Sequence, residues 1–137
     1  MSIVVDSSVT LAWAYSEETT SAVDEVLRDV IANGAWVPGI WRLEVANTLL
    51  IGVRRGRADA AFMATTLADL ANLPIRDDPD TSLHAWGTTA RLAERHNLTS
   101  YDASYLELAL RRSLPLATLD RQLRAAAAAE SVSLLGL

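Results

Sequence analysis

Residues 1–13 read MSIVVDSSVTLAW. Ile3, Val4 and Val5 form an apolar, β-branched run, the composition of a strand covered on both faces. Asp6 follows at once, then Ser7 and Ser8, then a helical stretch over Val9–Tyr15 that Ser7 or Ser8 is placed to cap. A strand running straight into a polar turn and a helix is the opening of a parallel sheet covered by helices. A lone charge at the inner end of such a strand is costly to bury, so Asp6 needs a partner or a task.

The same alternation continues along the chain. The spacing predicts a helix over Thr19–Ala32, with Val23, Val26, Leu27, Val30 and Ile31 in phase and Asn33-Gly34 as its stop. A short strand, Ala35–Val37, meets the breaker Pro38-Gly39. Helices follow over Ile40–Arg55, with a stripe of Ile40, Leu43, Leu50 and Ile51, and over Asp59–Leu73. Pro74-Ile75 is a brief extended piece, and Arg76–Asp80 a polar turn into one helix reaching Arg95. HNLTS breaks that helix, and another covers Tyr101–Arg112. A strand Leu116–Leu119, a helix Arg121–Glu130 and an apolar piece Val132–Leu135 complete the pattern. The expectation is an α/β fold, one domain over residues 1–137, with a mostly parallel central sheet between helical layers.

Composition narrows the function. Half of the 137 residues are hydrophobic, which is globular composition, and no apolar run reaches the eighteen or so residues of a membrane span. No signal peptide is read at the N-terminus. With no cysteine there is neither a disulfide nor a thiolate metal site, and the expected location is the cytoplasm. The net charge of −5 argues against a broadly basic nucleic-acid-binding surface, though clustered acids at a metal site lower net charge by themselves. All twelve basic residues are arginine, which reads as codon bias. It also removes any chemistry that requires lysine, including a P-loop or a phospho-receiver site.

Four acids stand in unusual places. Asp6 and Asp120 each lie just past a strand, at the edge where open parallel sheets bind ligands. Glu44 interrupts an apolar helix and shares a polar patch with Asn47 and Thr48. Asp102 opens a helix within a capping-box pattern, Thr99-Ser100-Tyr101-Asp102. Asp120 alone reads as readily as a helix cap. Glu107 falls about 140° around the helix from Asp102 and is left out. Acids that converge repel unless a cation sits between them. Oxygen-only ligands suit Mg²⁺ or Mn²⁺, ions that activate water and stabilise charge on a phosphate oxygen.

IVVDSSVTLAW, WRLEVANTL, LTSYDASYLELA and PLATLDRQL together resemble, in order and spacing, the PIN-domain family, and within it the VapC toxins of type II toxin–antitoxin modules. The resemblance covers nearly the whole chain. It implies an α/β/α sandwich and a Mg²⁺- or Mn²⁺-dependent endoribonuclease acting on structured RNA such as tRNA or rRNA. Its acidic set falls on Asp6, Glu44, Asp102 and Asp120, with Asp6 and Asp102 the most direct metal ligands. Thr118 matches an assisting hydroxyl, and Ser7 or Ser8 steadies Asp6. The implied partners are a VapB-like antitoxin and a second copy of the chain. The apolar content of the helices within Val9–Ile31 and Asp59–Leu73, beyond what a small sheet needs, fits such interfaces.

Other features stay structural. His84 and His96 lack metal-type partners. Trp13, Trp36, Trp41 and Trp86 read as core or partner-contact residues, and Arg54, Arg55 and Arg57 as a basic cluster that compensates the dipole at a helix end. Two rival functions remain open: a PIN-like module that binds RNA or protein without cutting, and a metal-dependent phosphatase. Against the phosphatase, position 8 is Ser where a haloacid-type enzyme needs a second Asp.

Overall fold

The computed structural model describes residues 1–137. Five short strands form one sheet: β1 Ile3–Val5, β2 Ala35–Val37, β3 Ile75–Asp77, β4 Leu116–Ala117 and β5 Leu134–Leu135. Their order is β3-β2-β1-β4-β5, and every neighbouring pair is parallel. The expected α/β architecture is present, with a sheet that is wholly rather than mostly parallel. Burial explains why residues so few can hold a strand. Val4, Val5, Val37, Leu116 and Ala117 have no exposed surface, so side chains from both helical layers grip the sheet.

Eight helices surround it: α1 Ser7–Ala14, α2 Ser21–Asn33, α3 Trp41–Arg54, α4 Ala60–Ala71, α5 Thr81–His84, α6 Thr88–His96, α7 Ser100–Arg112 and α8 Arg121–Ala129. None is long and apolar enough to cross a membrane. The one helix expected to reach Arg95 is two, α5 and α6, separated at Ala85–Gly87. Arg76 and Asp77 belong to β3 rather than to a turn, because Trp36 and Val37 of β2 pair with them. Strand β4 stops at Ala117, two residues early, and this frees Thr118 to turn towards β1.

Helix α3 presents a different face from the expected one. Trp41, Val45, Leu49 and Gly52 are buried, at steps of four, four and three, while Leu43 is 75% exposed. The indole of Trp41 sets this rotation: its Nε1–H donates to Thr10 Oγ1 at 3.0 Å, and Thr10 in turn donates to the Asp6 carbonyl at 2.8 Å. Trp86 is 98% exposed and so no part of the core.

The chain leaves β1 for β2 on one side and reaches β4 on the other. The strand order therefore reverses between β1 and β4, and their carboxyl ends frame the crevice where open α/β sheets place ligands. Asp6 and Thr118 stand at that crevice.

Candidate functional site

Asp6 is buried and caps α1 itself, accepting from Val9 N–H at 3.1 Å. This corrects the expectation that Ser7 or Ser8 caps the helix. Ser8 instead donates to Asp6 Oδ1 at 2.6 Å, and Thr118 donates to Asp6 Oδ2 at 2.5 Å. Each hydroxyl is itself held from the loop after β4: Ser8 Oγ accepts from Leu119 N–H and Thr118 Oγ1 from Asp120 N–H. Two relays thus tie both carboxylate oxygens to one loop. Thr118, which the resemblance matches to an assisting hydroxyl, touches Asp6 directly.

The charge of Asp102 acts on two of the other acids, Asp6 and Glu44. Burial pushes Asp6 up to about 6, its hydrogen bonds oppose that, and the negative charge of Asp102 adds to the rise. Half-buried Glu44 is also raised, by burial and by Asp102. Asp102 is raised by burial and by Asp120. Asp102 therefore lies within electrostatic reach of Asp6, Glu44 and Asp120. Asp120 caps α8 through Leu123 N–H at 2.8 Å, and Thr99 caps α7 through Asp102 N–H at 3.0 Å. Capping and clustering coexist, because a helix N-terminus aimed at the crevice presents its capping acid there. As the side chains stand, no three acids are close enough together to hold an ion between them.

Tyr105 is the contributor that sequence reading missed. It has no exposed surface, and its hydroxyl donates to Glu44 Oε1 at 2.5 Å across a sequence separation of 61. Burial and the neighbouring carboxylates Glu44 and Asp6 push its phenol well above the usual range, so it stays a donor. A signal existed: Tyr105 lies one helical turn beyond Asp102, on its face, and a lone acid in an apolar helix asks for a donor. Tyr105→Phe is expected to leave the fold near wild-type stability, within about 1–2 kcal/mol for one lost hydrogen bond. It should weaken binding of a divalent ion, by analogy with the roughly 10- to 100-fold cost of losing a residue that orients a metal ligand. Titration of Mn²⁺ followed by paramagnetic resonance checks this, and unchanged affinity would remove Tyr105 from the site.

Ser7, Asn47 and Thr48 border an open groove of about 610 Å³ beside Glu44, together with Leu43 and Tyr101. Asn47 and Thr48 do not hydrogen-bond the Glu44 carboxylate; Thr48 donates to the Glu44 carbonyl at 3.0 Å instead. Glu107 lies apart and pairs with Arg111 at 2.7 Å. His96 meets Glu130, and Arg57 lies 3.5 Å over the Tyr15 ring while pairing with Glu17, so none of these serves the acid cluster.

The donor set fits a hard divalent ion in kind. It is all oxygen, it lies at the crevice, and Asp6, Glu44 and Asp102 are raised by burial and by neighbouring negative charge, both of which a cation relieves.

The family model for the PIN domain matches residues 3–129. Among solved structures, PAE2754 from Pyrobaculum aerophilum is 26% identical, with 92% of this chain and 79% of that one covered and a TM-score of 0.68. VapBC2 from Rickettsia felis, solved bound to a DNA fragment from their promoter, is 13% identical over 98% of this chain and 97% of that one, with a TM-score of 0.66. FitAcB from Neisseria gonorrhoeae is 16% identical over 98% and 96%, with a TM-score of 0.57. The last two likenesses speak for the fold alone. No curated protein matches the chain.

Proposed function

The chain belongs to the PIN domain family, and on that premise we propose that it is a Mg²⁺- or Mn²⁺-dependent endoribonuclease, the toxin of a type II, VapBC-like toxin–antitoxin pair. The observation that carries the reading is the placement of acids at one sheet edge: Asp6 ends β1 and is held by Thr118 from the loop after β4, Asp120 follows in that loop, and Tyr105, one helical turn beyond Asp102, holds Glu44. The toxin part draws on the resemblance of IVVDSSVTLAW, WRLEVANTL, LTSYDASYLELA and PLATLDRQL, in order and spacing, to the VapC toxins.

Asp6 and Asp102 would hold the ion, with Glu44 and Asp120 beside them. A bound Mg²⁺ or Mn²⁺ supplies water activation and neutralises charge building on the phosphate. The chain's own work is positional. Ser8 and Thr118 fix the plane of the Asp6 carboxylate, and Tyr105 fixes one oxygen of Glu44. The other Glu44 oxygen accepts no hydrogen bond within the protein and is left to orient a water molecule for attack on the phosphodiester and to take its proton. Asp120 likewise spends one oxygen on its helix cap.

Structured RNA such as tRNA or rRNA is the proposed substrate, and a cytoplasmic homodimer silenced by a VapB-like antitoxin the proposed assembly. An apolar groove of about 360 Å³ between α1, α2 and α4, walled by Trp13, Leu27, Phe62 and Leu70, supports a protein partner.

Mapping the ends of cleaved RNA tests the chemistry. Attack by water leaves a 5′-phosphate and a 3′-hydroxyl. EDTA should stop cleavage and either ion restore it. A 2′,3′-cyclic phosphate, or cleavage that persists in EDTA, would overturn the reading. A module that binds RNA without cutting is the second reading. It draws on the engagement of both Asp6 oxygens by hydroxyls and would show as metal-independent RNA retention with no cut.

A further inference from the structure

We propose that the groove beside Glu44 is a subsite for one unpaired nucleobase of the RNA, the base next to the phosphate being cut, stacked on Tyr101 against Leu43 and read at its edge by Asn47. This rests on the ribonuclease reading and adds a recognition element to it.

The position of the groove comes first. Glu44 and Ser7 border it, so it opens directly from the acid cluster. A phosphodiester that reaches the cluster must send a neighbouring nucleoside into this space or past it. Its volume, about 610 Å³, is within the usual range for small-ligand sites.

Its walls suit a base. In α7 every residue from Ala103 to Ala109 is buried, yet Tyr101, one residue before Asp102, is 62% exposed. Leu43 is 75% exposed on a helix whose other side is packed into the core. An exposed aromatic side chain and an aliphatic one lining the same groove offer a stacking platform, and stacking needs a base already out of a duplex.

The polar groups then choose the orientation. Leu43 and Asn47 are one turn apart on α3. Thr48 has committed its hydroxyl proton to the Glu44 carbonyl, whereas the Asn47 side chain makes no hydrogen bond within the protein. An amide offers a donor and an acceptor side by side, the pattern that pairs with adjacent groups on a base edge. No arginine borders the groove, and Glu44 is one of its walls. A phosphate would be repelled there and a neutral base would not.

Short single-stranded RNAs that vary at one position beside the cut test the proposal. Binding is read by fluorescence anisotropy in EDTA and cutting by steady-state kinetics with Mg²⁺. Tyr101→Ala should weaken binding and raise KM by about ten-fold with kcat little changed, and Tyr101→Trp or Tyr101→Phe should restore both. Asn47→Ala should flatten the preference for the varied base. Unaltered binding by folded Tyr101→Ala overturns the subsite and leaves the ribonuclease reading intact. So does loss of antitoxin binding in that variant with RNA binding unchanged, which would assign the groove to protein. Tyr101-dependent RNA binding by a wild type that never cuts overturns the ribonuclease reading and with it the place of the base beside a cut phosphate, and leaves the groove as a base-binding site only.

Discussion

Asp6→Asn is expected to abolish RNA cleavage while making the metal-free protein more stable at neutral pH. The first effect should exceed the roughly 100-fold that losing a residue merely supporting a metal ligand costs, because Asp6 is proposed to hold the ion itself. The second follows from burial. The Asp6 carboxyl titrates at about 6 in the folded chain against 3.8 as an ordinary aspartate. Between those values the folded state binds more protons than the unfolded one, so stability falls as pH rises through the window and the loss is complete above about 6. At ~1.4 kcal/mol per unit, the shift amounts to about 3 kcal/mol at pH 7. Glu44 and Asp102 are shifted in the same direction and steepen the slope. An asparagine carries no charge to bury. Its oxygen can keep the bonds from Ser8 and Val9, and the Thr118 hydroxyl can rotate to accept from its amide. Thermal melts of metal-free wild type at pH 5 and pH 7 should therefore differ more than those of the variant. Mg²⁺ should raise the wild-type midpoint at pH 7 and leave the variant's unmoved. A variant that still cuts, or that melts far below wild type without metal, would return Asp6 to the role of a helix cap and nothing more.

The largest loss of stability should come from a residue far from the proposed chemistry. Asp78 follows β3, and its side chain is wholly buried. Burial alone would push its carboxyl up, but hydrogen bonds from Arg111, Arg112 and Thr81 outweigh that and hold it at about 2. Arg111 grips both Asp78 oxygens, at 3.1 and 2.6 Å, and also Glu107. Arg112 adds a contact at 3.1 Å and lies 3.6 Å over the Trp36 ring. Asp78→Ala leaves two guanidinium groups facing one remaining acid in a partly closed space. Breaking a buried pair in this way costs about 3–5 kcal/mol. For a chain of this length the melting midpoint should drop by roughly 10 °C or more. Cleavage well below that midpoint should survive, because Asp102 and Tyr105 sit towards the other end of α7. Asp77→Ala, next in sequence, removes only the exposed pair with Arg42 and should cost under about 1 kcal/mol. Equal melting shifts for the two variants would refute the account. The pH dependence is opposite in sign to that of Asp6: this contribution is whole above the ordinary aspartate value and is lost as pH falls towards 2.

Much of the architecture was legible in the chain because its signals are local. Ile3–Val5 and Ala35–Val37 declare themselves as strands by composition, and Gly34 and Pro38-Gly39 mark the turns beside them. The acids announced themselves by sitting at strand ends or in an apolar helix, where a charge has no ordinary reason to be. The α/β fold, a mostly parallel sheet and the four candidate acids needed nothing more. The tertiary structure decided what depends on distant partners. Thr118 reaches Asp6 across 112 residues, Tyr105 reaches Glu44 across 61 and Arg111 reaches Asp78 across 33. Periodicity could not show that Leu43 faces a groove while Trp41 faces the core, since both lie on an apolar helix and the Trp41–Thr10 bond sets the rotation. Spacing reports which side chains share a face of one element. Which face meets which, and therefore whether a buried charge is neutralised by arginine, as at Asp78, or left raised, as at Asp6, is set only when the elements pack.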